Sequence, residues 1–88
     1  MSILDRVHIL AQRLLSTDSC DDKGFRAIMA DFEFVTNVNE FARKFGMSRP
    51  TINRWKNGHS VPHPALRPRI YRHLHKLADT KIQELTIR

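Results

Sequence analysis

The sequence VNEFARKFGMSRPTINRWKNG, at positions 38–58, decides the fold of this chain. Asn37 precedes it as a helix cap, and apolar residues at positions 38, 41, 42 and 45 then predict a short helix. Gly46 lies where a helix usually ends in a left-handed residue, and Ser48 can cap the next helix at once. That helix is predicted over residues 48–57, because Pro50 falls in its first turn, where no intrahelical hydrogen bond is lost. The stretch therefore predicts two short helices joined by a tight turn at Gly46.

The apolar side chains of this stretch each have a packing role in such a pair of helices. Ala42 lies where the helices cross closely, and Met47 lies under the turn. With successive residues about 100° apart around the second helix, Ser48, Ile52 and Trp55 are predicted to face the core. The opposite, solvent-facing side then carries Pro50, Asn53, Arg54 and Asn57, with Arg49 and Lys56 at its flanks. This arrangement has the geometry of a helix-turn-helix motif.

Helical spacing recurs through the rest of the chain, and strand patterns are scarce. Ser2 with Asp5 resembles a capping box that begins a helix over about residues 2–15. A second helix is predicted over residues 22–34, capped by one aspartate of the 21–22 pair, and a last helix from position 64 or 68 to about position 85. The sequence therefore predicts an all-α chain: one domain over residues 1–88, built as a small bundle of about five helices that contains the helix-turn-helix motif.

Charge is divided unevenly along the 88 residues, which carry 15 Lys and Arg against nine Asp and Glu. Residues 1–40 hold four bases and seven acids, whereas residues 41–88 hold eleven bases and two acids. Between Phe41 and Ala78 there is no Asp or Glu at all. A solvated basic face would explain a diffuse excess, but a basic segment of this kind also favours a polyanionic partner.

The solvent-facing side of the second short helix carries side chains that suit the reading of base pairs. Asn pairs with adenine and Arg with guanine, and each good bidentate contact contributes about 1 to 3 kcal/mol of discrimination. The base-reading candidates are Arg49, Asn53 and Arg54, together with Pro50 and Asn57. Phosphate contacts, which add affinity but no sequence information, are expected from Asn37, Asn39, Arg43, Lys44, Ser48, Thr51 and Lys56. For Asn37 and Ser48, helix capping is the alternative role.

Residues 38 to about 66 resemble the Cro and lambda-repressor-like helix-turn-helix family. The resemblance rests on the stretch quoted above, on the closing Asn57 and Gly58, and on Pro62 shortly after them. It implies a small helical bundle that binds operator DNA, usually as a dimer, in bacteria or their phages. It also implies that the helix beginning at Ser48 lies in the major groove, and that the start of the preceding helix faces a phosphate. The chain departs from the family pattern at Pro50 and in its additional helix over about residues 2–15.

The last helix carries two apolar stripes and one basic stripe. The first apolar stripe should close the core and consists of Leu66, Ile70, Leu74 and Leu77. The second is a candidate subunit contact, or else packs on the N-terminal helix, and consists of Tyr71, Ala78, Ile82 and Leu85. A chain of this size has a small core, so stabilisation by a second subunit is expected. The basic stripe, either solvated or facing phosphate, consists of Arg69, Arg72 and Lys76.

Other classes of function find little support in the sequence. Cys20 is the only cysteine, which excludes an intramolecular disulfide and favours a reducing, cytoplasmic setting. No segment approaches the roughly 20 apolar residues that span a bilayer, and no signal peptide is predicted. His59 and His63 are separated by Pro62, so they do not form a metal site on a helix. The sequence therefore predicts no enzyme, no cofactor, no metal and no contact with a membrane.

These observations together predict a sequence-specific regulator of transcription that binds double-stranded DNA. Its simplest form is a repressor of bacterial or phage type that binds a pseudo-palindromic operator as a homodimer, in the cytoplasm at the nucleoid. Two alternatives stay open. In the first, the chain is a DNA-binding antitoxin or protein-interaction subunit that docks a partner protein through its N- or C-terminal helix. In the second, it binds nucleic acid without sequence preference, as an architectural or RNA-binding protein.

Overall fold

The computed structural model describes residues 1–87, which form five α-helices and one 3-10 turn. The helices are α1 (Ile3–Ser16), α2 (Asp22–Asp31), α3 (Val38–Phe45), α4 (Arg49–Lys56) and α5 (Arg67–Thr86), and the 3-10 turn covers Phe32–Phe34. No strand occurs within residues 1–87. The all-α class predicted from the sequence is therefore confirmed.

The first two helices begin at caps that the sequence predicts. The Ser2 hydroxyl accepts a hydrogen bond from the Asp5 amide (3.1 Å), and the Asp5 carboxylate accepts one from the Ser2 amide (3.3 Å). Asp21 caps α2, with its carboxylate accepting from the Lys23 amide. The α2 helix ends three residues earlier than predicted, because Asp31 leaves the helical region (φ −112°, ψ 0°) and the chain tightens into the 3-10 turn.

The α3 and α4 helices are joined by a break of three residues. The Asn37 side chain caps α3 by accepting from the Glu40 amide at 2.9 Å. Gly46 follows α3 with φ 65° and ψ 30°, the left-handed conformation expected there. The Met47 amide then donates to the Ala42 carbonyl (2.9 Å), which satisfies one of the last carbonyls of α3. These hydrogen bonds fix where α3 ends and where α4 can begin.

One aromatic core joins the helices. Phe25, Phe32 and Phe41 are fully buried, and Trp55 of α4 packs edge-on against Phe25 and Phe41, with ring centroids 6.1 and 6.4 Å apart. The aliphatic side chains of Ile52, Ile70 and Leu74 fill the remaining space. A smaller cluster packs α1 against α5 and consists of Val7, Ala11 and Ala78, with Phe34, Val35 and Ile82 at its edge.

Two of the four residues in the second apolar stripe of α5, Tyr71 and Ala78, are covered by other parts of the chain. Tyr71 stacks on Phe25, and Ala78 packs in the smaller cluster between α1 and α5. Both are buried within the chain, and Ala78 packs on α1, which is the alternative that the sequence left open for this stripe. Ile82 is half-buried and Leu85 is exposed.

The α5 helix begins at Arg67 rather than at Pro64. Residues 64–66 form a turn in which the His63 ring nitrogen Nδ1 accepts from the Ala65 amide, and the α-helical pattern starts only after it. Pro68 falls in the first turn of the helix, where proline is tolerated. Within residues 1–87, no helix, α5 included, combines the length and the apolar composition needed to cross a membrane.

Arg67 is a charged side chain in the interior, with 1% of its surface exposed. Its Nε donates to the Pro62 carbonyl (3.1 Å), its Nη1 donates to the Ser19 carbonyl (3.0 Å), and its Nη2 lies 2.7 Å from the Asp22 carboxylate. The guanidinium also lies 5.6 Å from the centre of the Phe25 ring. One side chain therefore joins the α1–α2 loop, the α4–α5 loop and the start of α5.

Candidate nucleic-acid interface

The α4 helix has one buried side and one exposed side. Ile52 and Trp55 are buried at 0% and 4% exposure, and they hold the helix on the core. All five base-reading candidates are exposed, and their positions bring them to the other side of the helix: Arg49, Pro50, Asn53, Arg54 and Asn57. This exposed side is called the α4 face below.

Ser48 is exposed, so the prediction that it faces the core is wrong. It is the cap of α4 with an extended backbone (φ −76°, ψ 152°), so the helical wheel that placed it inside does not apply to it. Its hydroxyl accepts from the Thr51 amide at 3.3 Å, which is the capping role expected as an alternative for this residue.

A row of hydrogen bonds links the cap of α4 to an arginine of the α4 face. Ser48 Oγ and Thr51 Oγ1 lie 2.8 Å apart, and Arg54 Nη2 donates to Thr51 Oγ1 at 3.4 Å. Because the three residues are spaced by three, they follow one line along the helix. The two hydroxyls predicted as phosphate contacts therefore lie near a predicted base reader, and the Thr51 hydroxyl is hydrogen-bonded to its guanidinium.

The start of α3 adjoins the α4 face. Arg49 Nη1 donates to Asn39 Oδ1 at 3.3 Å, and these two residues line a shallow cavity of about 360 Å³ with Val38, Pro50 and Asn53. Asn37, one residue before α3, is exposed and engaged as its cap. The structure thus brings Asn39, a predicted phosphate contact, next to two predicted base readers.

The other predicted phosphate contacts, Arg43, Lys44 and Lys56, lie in two different surroundings. Arg43 and Lys44 are exposed in the last turn of α3, at the opposite end of that helix from Asn39. Lys56 pairs with Glu33 of the 3-10 turn at 2.7 Å, which partly neutralises its charge. Both partners are substantially exposed, so the pair contributes about 1 kcal/mol at most and competes weakly with a phosphate.

Lys44 lines a second groove, which lies between α3 and α5. The sequence pattern does not predict that the residues lining this groove come together. Its other lining residues are Phe45, Arg69, Arg72, His73 and Lys76. Burial lowers the pKa of His73, and the nearby charges of Lys44 and Lys76 lower it further. The spacing of the basic stripe on α5 identifies three of these residues, whereas the contribution of α3 depends on tertiary packing.

Within the described part of the chain, no group of three or more His, Cys, Asp or Glu side chains is placed to hold a metal ion. Cys20 is exposed at the end of the α1–α2 loop.

Comparison of the chain with models of protein families, with curated proteins and with solved structures found no match.

Proposed function

We propose that the chain is a sequence-specific, double-stranded DNA-binding protein whose α4 helix lies in the major groove. The α4 face carries this proposal, because it exposes two arginines and two asparagines on a helix held firmly by Ile52 and Trp55. The surrounding segment contains no acid from Phe41 to Ala78, so nothing in it repels phosphate. A major groove about 12 Å wide admits a helix of this kind.

Each side chain of the α4 face has a role that its chemistry suits. Arg49 and Arg54 suit the two acceptors of guanine, and Asn53 suits the donor and acceptor of adenine. Pro50 offers an apolar surface to a thymine methyl group. Ser48, Thr51 and Asn39 flank these residues and suit phosphate oxygens, since hydroxyl and amide groups commonly bind the DNA backbone.

A repressor that binds as a homodimer is the simplest form of this function. One eight-residue helix makes few base contacts, and each correct base pair contributes only about 1 to 3 kcal/mol, so two copies discriminate better against the genomic excess. Two α4 helices about 34 Å apart would meet successive major grooves of a pseudo-palindromic operator. Bound there, the dimer would block transcription sterically, at the nucleoid in the cytoplasm. Ile82 and Leu85 are what remains of the predicted subunit contact.

Selection of bound duplexes from a random pool, at one stated salt concentration, tests the proposal. We expect an enriched sequence, and we expect Arg54→Ala to weaken binding by about 1 to 3 kcal/mol while relaxing preference at one base pair. Arg26→Ala removes an exposed arginine from α2 and serves as the matched control. Equal affinity for selected and scrambled duplexes would favour the alternative of binding without sequence preference.

A second candidate is an antitoxin or interaction subunit that acts with a different protein. The observation in its favour is the exposure of large apolar side chains on α1 and beyond α5, with Ile3 at 56%, Leu15 at 75% and Ile87 at 73%. The mass of the complex purified from its native cells distinguishes the two candidates. A dimer of this chain supports the self-sufficient repressor, and a stoichiometric second protein supports the alternative.

A further inference from the structure

The groove between α3 and α5 has an aromatic base and a cationic rim. Phe45 of α3 and His73 of α5 form the base, both half-buried, with their rings edge to face and their centroids 5.5 Å apart. Four exposed cations surround them: Lys44, Arg69, Arg72 and Lys76. The groove has a volume of about 360 Å³.

Within the part of the chain that the structure describes, the four cations of this rim have no anionic partner. Among residues 1–87, none of them lies within 4.0 Å of a carboxylate oxygen. The nearest acid along α5, Asp79, pairs with His75 at 3.4 Å. No carboxylate of residues 1–87 therefore neutralises their positive charge.

Such an arrangement is unfavourable without a ligand. Arg69 and Arg72 are three residues apart and Arg72 and Lys76 four apart, so like charges lie side by side on one helix. Lys44 adds a fourth positive charge from α3, across the groove. The half-buried rings of Phe45 and His73 exclude part of the solvent from the base of the groove, which strengthens both this repulsion and the attraction of an anion.

We propose that the groove between α3 and α5 is a second anion site, which binds a phosphate group. Two guanidinium groups offer planar pairs of donors that match phosphate oxygens, and two ammonium groups add charge. The phosphate comes either from a small phosphate-bearing molecule or from the backbone of the DNA bound at the α4 face. Only the second source rests on the function proposed above, because the rim cations exist whether or not α4 reads bases.

Inorganic phosphate is the first probe, titrated into the full chain at constant ionic strength and followed by NMR, with chloride as the reference anion. We expect saturable shifts confined to the residues of the groove. The pKa of His73, which Lys44, Arg69, Arg72 and Lys76 surround, should rise when phosphate binds. Arg72→Gln should weaken phosphate binding about tenfold or more. Arg26→Gln, an equal loss of charge on α2, should leave it unchanged.

The selected duplex is the second probe and separates the two sources. If the site takes DNA phosphate, Arg72→Gln lowers duplex affinity, reduces the salt slope by about one contact and spares base preference. If it takes a small molecule, inorganic phosphate saturates the groove while duplex affinity is the same for Arg72→Gln and Arg26→Gln. The proposal is overturned if phosphate shifts are unsaturable and the two variants match in both measurements. Failure of the α4 proposal would appear separately, as an Arg54→Ala variant that binds the duplex normally.

Discussion

The Tyr71 hydroxyl is buried without a hydrogen-bond partner among the described residues, while its ring stacks on Phe25. Burial raises the pKa of this phenol, so the hydroxyl stays protonated and uncharged. An unsatisfied buried polar group costs about 1 to 3 kcal/mol. We expect Tyr71→Phe to raise the free energy of unfolding in urea by about 1 kcal/mol. Tyr71→Leu, which loses the stacked ring, should lower it, and a destabilised Tyr71→Phe would show that the hydroxyl is satisfied after all.

His73 makes the stability of the fold depend on pH. Its pKa in the folded chain lies below the ordinary value of 6.5, because of burial and then of Lys44 and Lys76. The unfolded chain therefore takes up this proton more readily, and protonation favours unfolding. The stabilisation is present above pH 6.5 and is lost as the pH falls through the lowered pKa.

Thermal unfolding between pH 5.5 and 7.5, at constant ionic strength, measures this effect. We expect the melting temperature to fall as the pH falls from about 6.5. The decline should be smaller in His73→Gln. The slope is the readout, because the substitution also removes the contact between the His73 and Phe45 rings. Parallel curves for the two proteins would contradict the assignment.

At the scale of elements, the turn between α3 and α4 depends on the left-handed conformation of Gly46. A Cβ added there would meet nothing within 4 Å, so the cost of a substitution comes from the backbone alone. We expect Gly46→Val to lower the free energy of unfolding by about 1 to 2 kcal/mol or more. Gly46→Asn should cost less, because asparagine tolerates positive φ. Equal losses in urea denaturation would mean that φ does not limit this position.

The starts of α1, α3 and α4 could be predicted because the capping hydrogen bonds that fix them join residues three positions apart. Ser2, Asn37 and Ser48 all cap the helices that follow them, as their sequence context indicates. The start of α5 could not be fixed in the same way, since Pro64 and Pro68 both suit a first turn. The choice depends on the turn over residues 64–66 and on the contacts of Arg67 with other parts of the chain.

At the scale of the whole molecule, the buried Arg67 holds two loops against the start of α5. We expect Arg67→Leu to lower the free energy of unfolding by about 2 to 4 kcal/mol, because it leaves the buried Pro62 carbonyl and the half-buried Ser19 carbonyl without their donor. Asp22 is more than half exposed, so Asp22→Asn should cost less than about 1 kcal/mol. Urea denaturation of both variants measures the difference. Equal losses would place the stabilisation in the ion pair instead.

The sequence predicted which residues of α4 are exposed better than it predicted the surroundings of individual basic side chains. The exposure of Arg49, Asn53 and Arg54 follows from helical periodicity once Ile52 and Trp55 are assigned to the core. The surroundings of a charge depend instead on which distant segments meet. Lys56 therefore pairs with an acid of the 3-10 turn, and Arg67 enters the interior although it lies in the same basic segment. Periodicity along one helix holds no information about such neighbours.

The contacts of Arg67 also bear on how fast the chain opens. Its hydrogen bond to the Ser19 carbonyl joins residues 48 positions apart, and because closing so long a loop costs entropy, we expect this bond to form late in folding. Interactions made after the folding barrier slow unfolding and leave the folding rate almost unchanged. Stopped-flow kinetics of Arg67→Leu should therefore show a strongly raised unfolding rate and a nearly native refolding rate. Arg67 would then lengthen the lifetime of the folded state by slowing its unfolding.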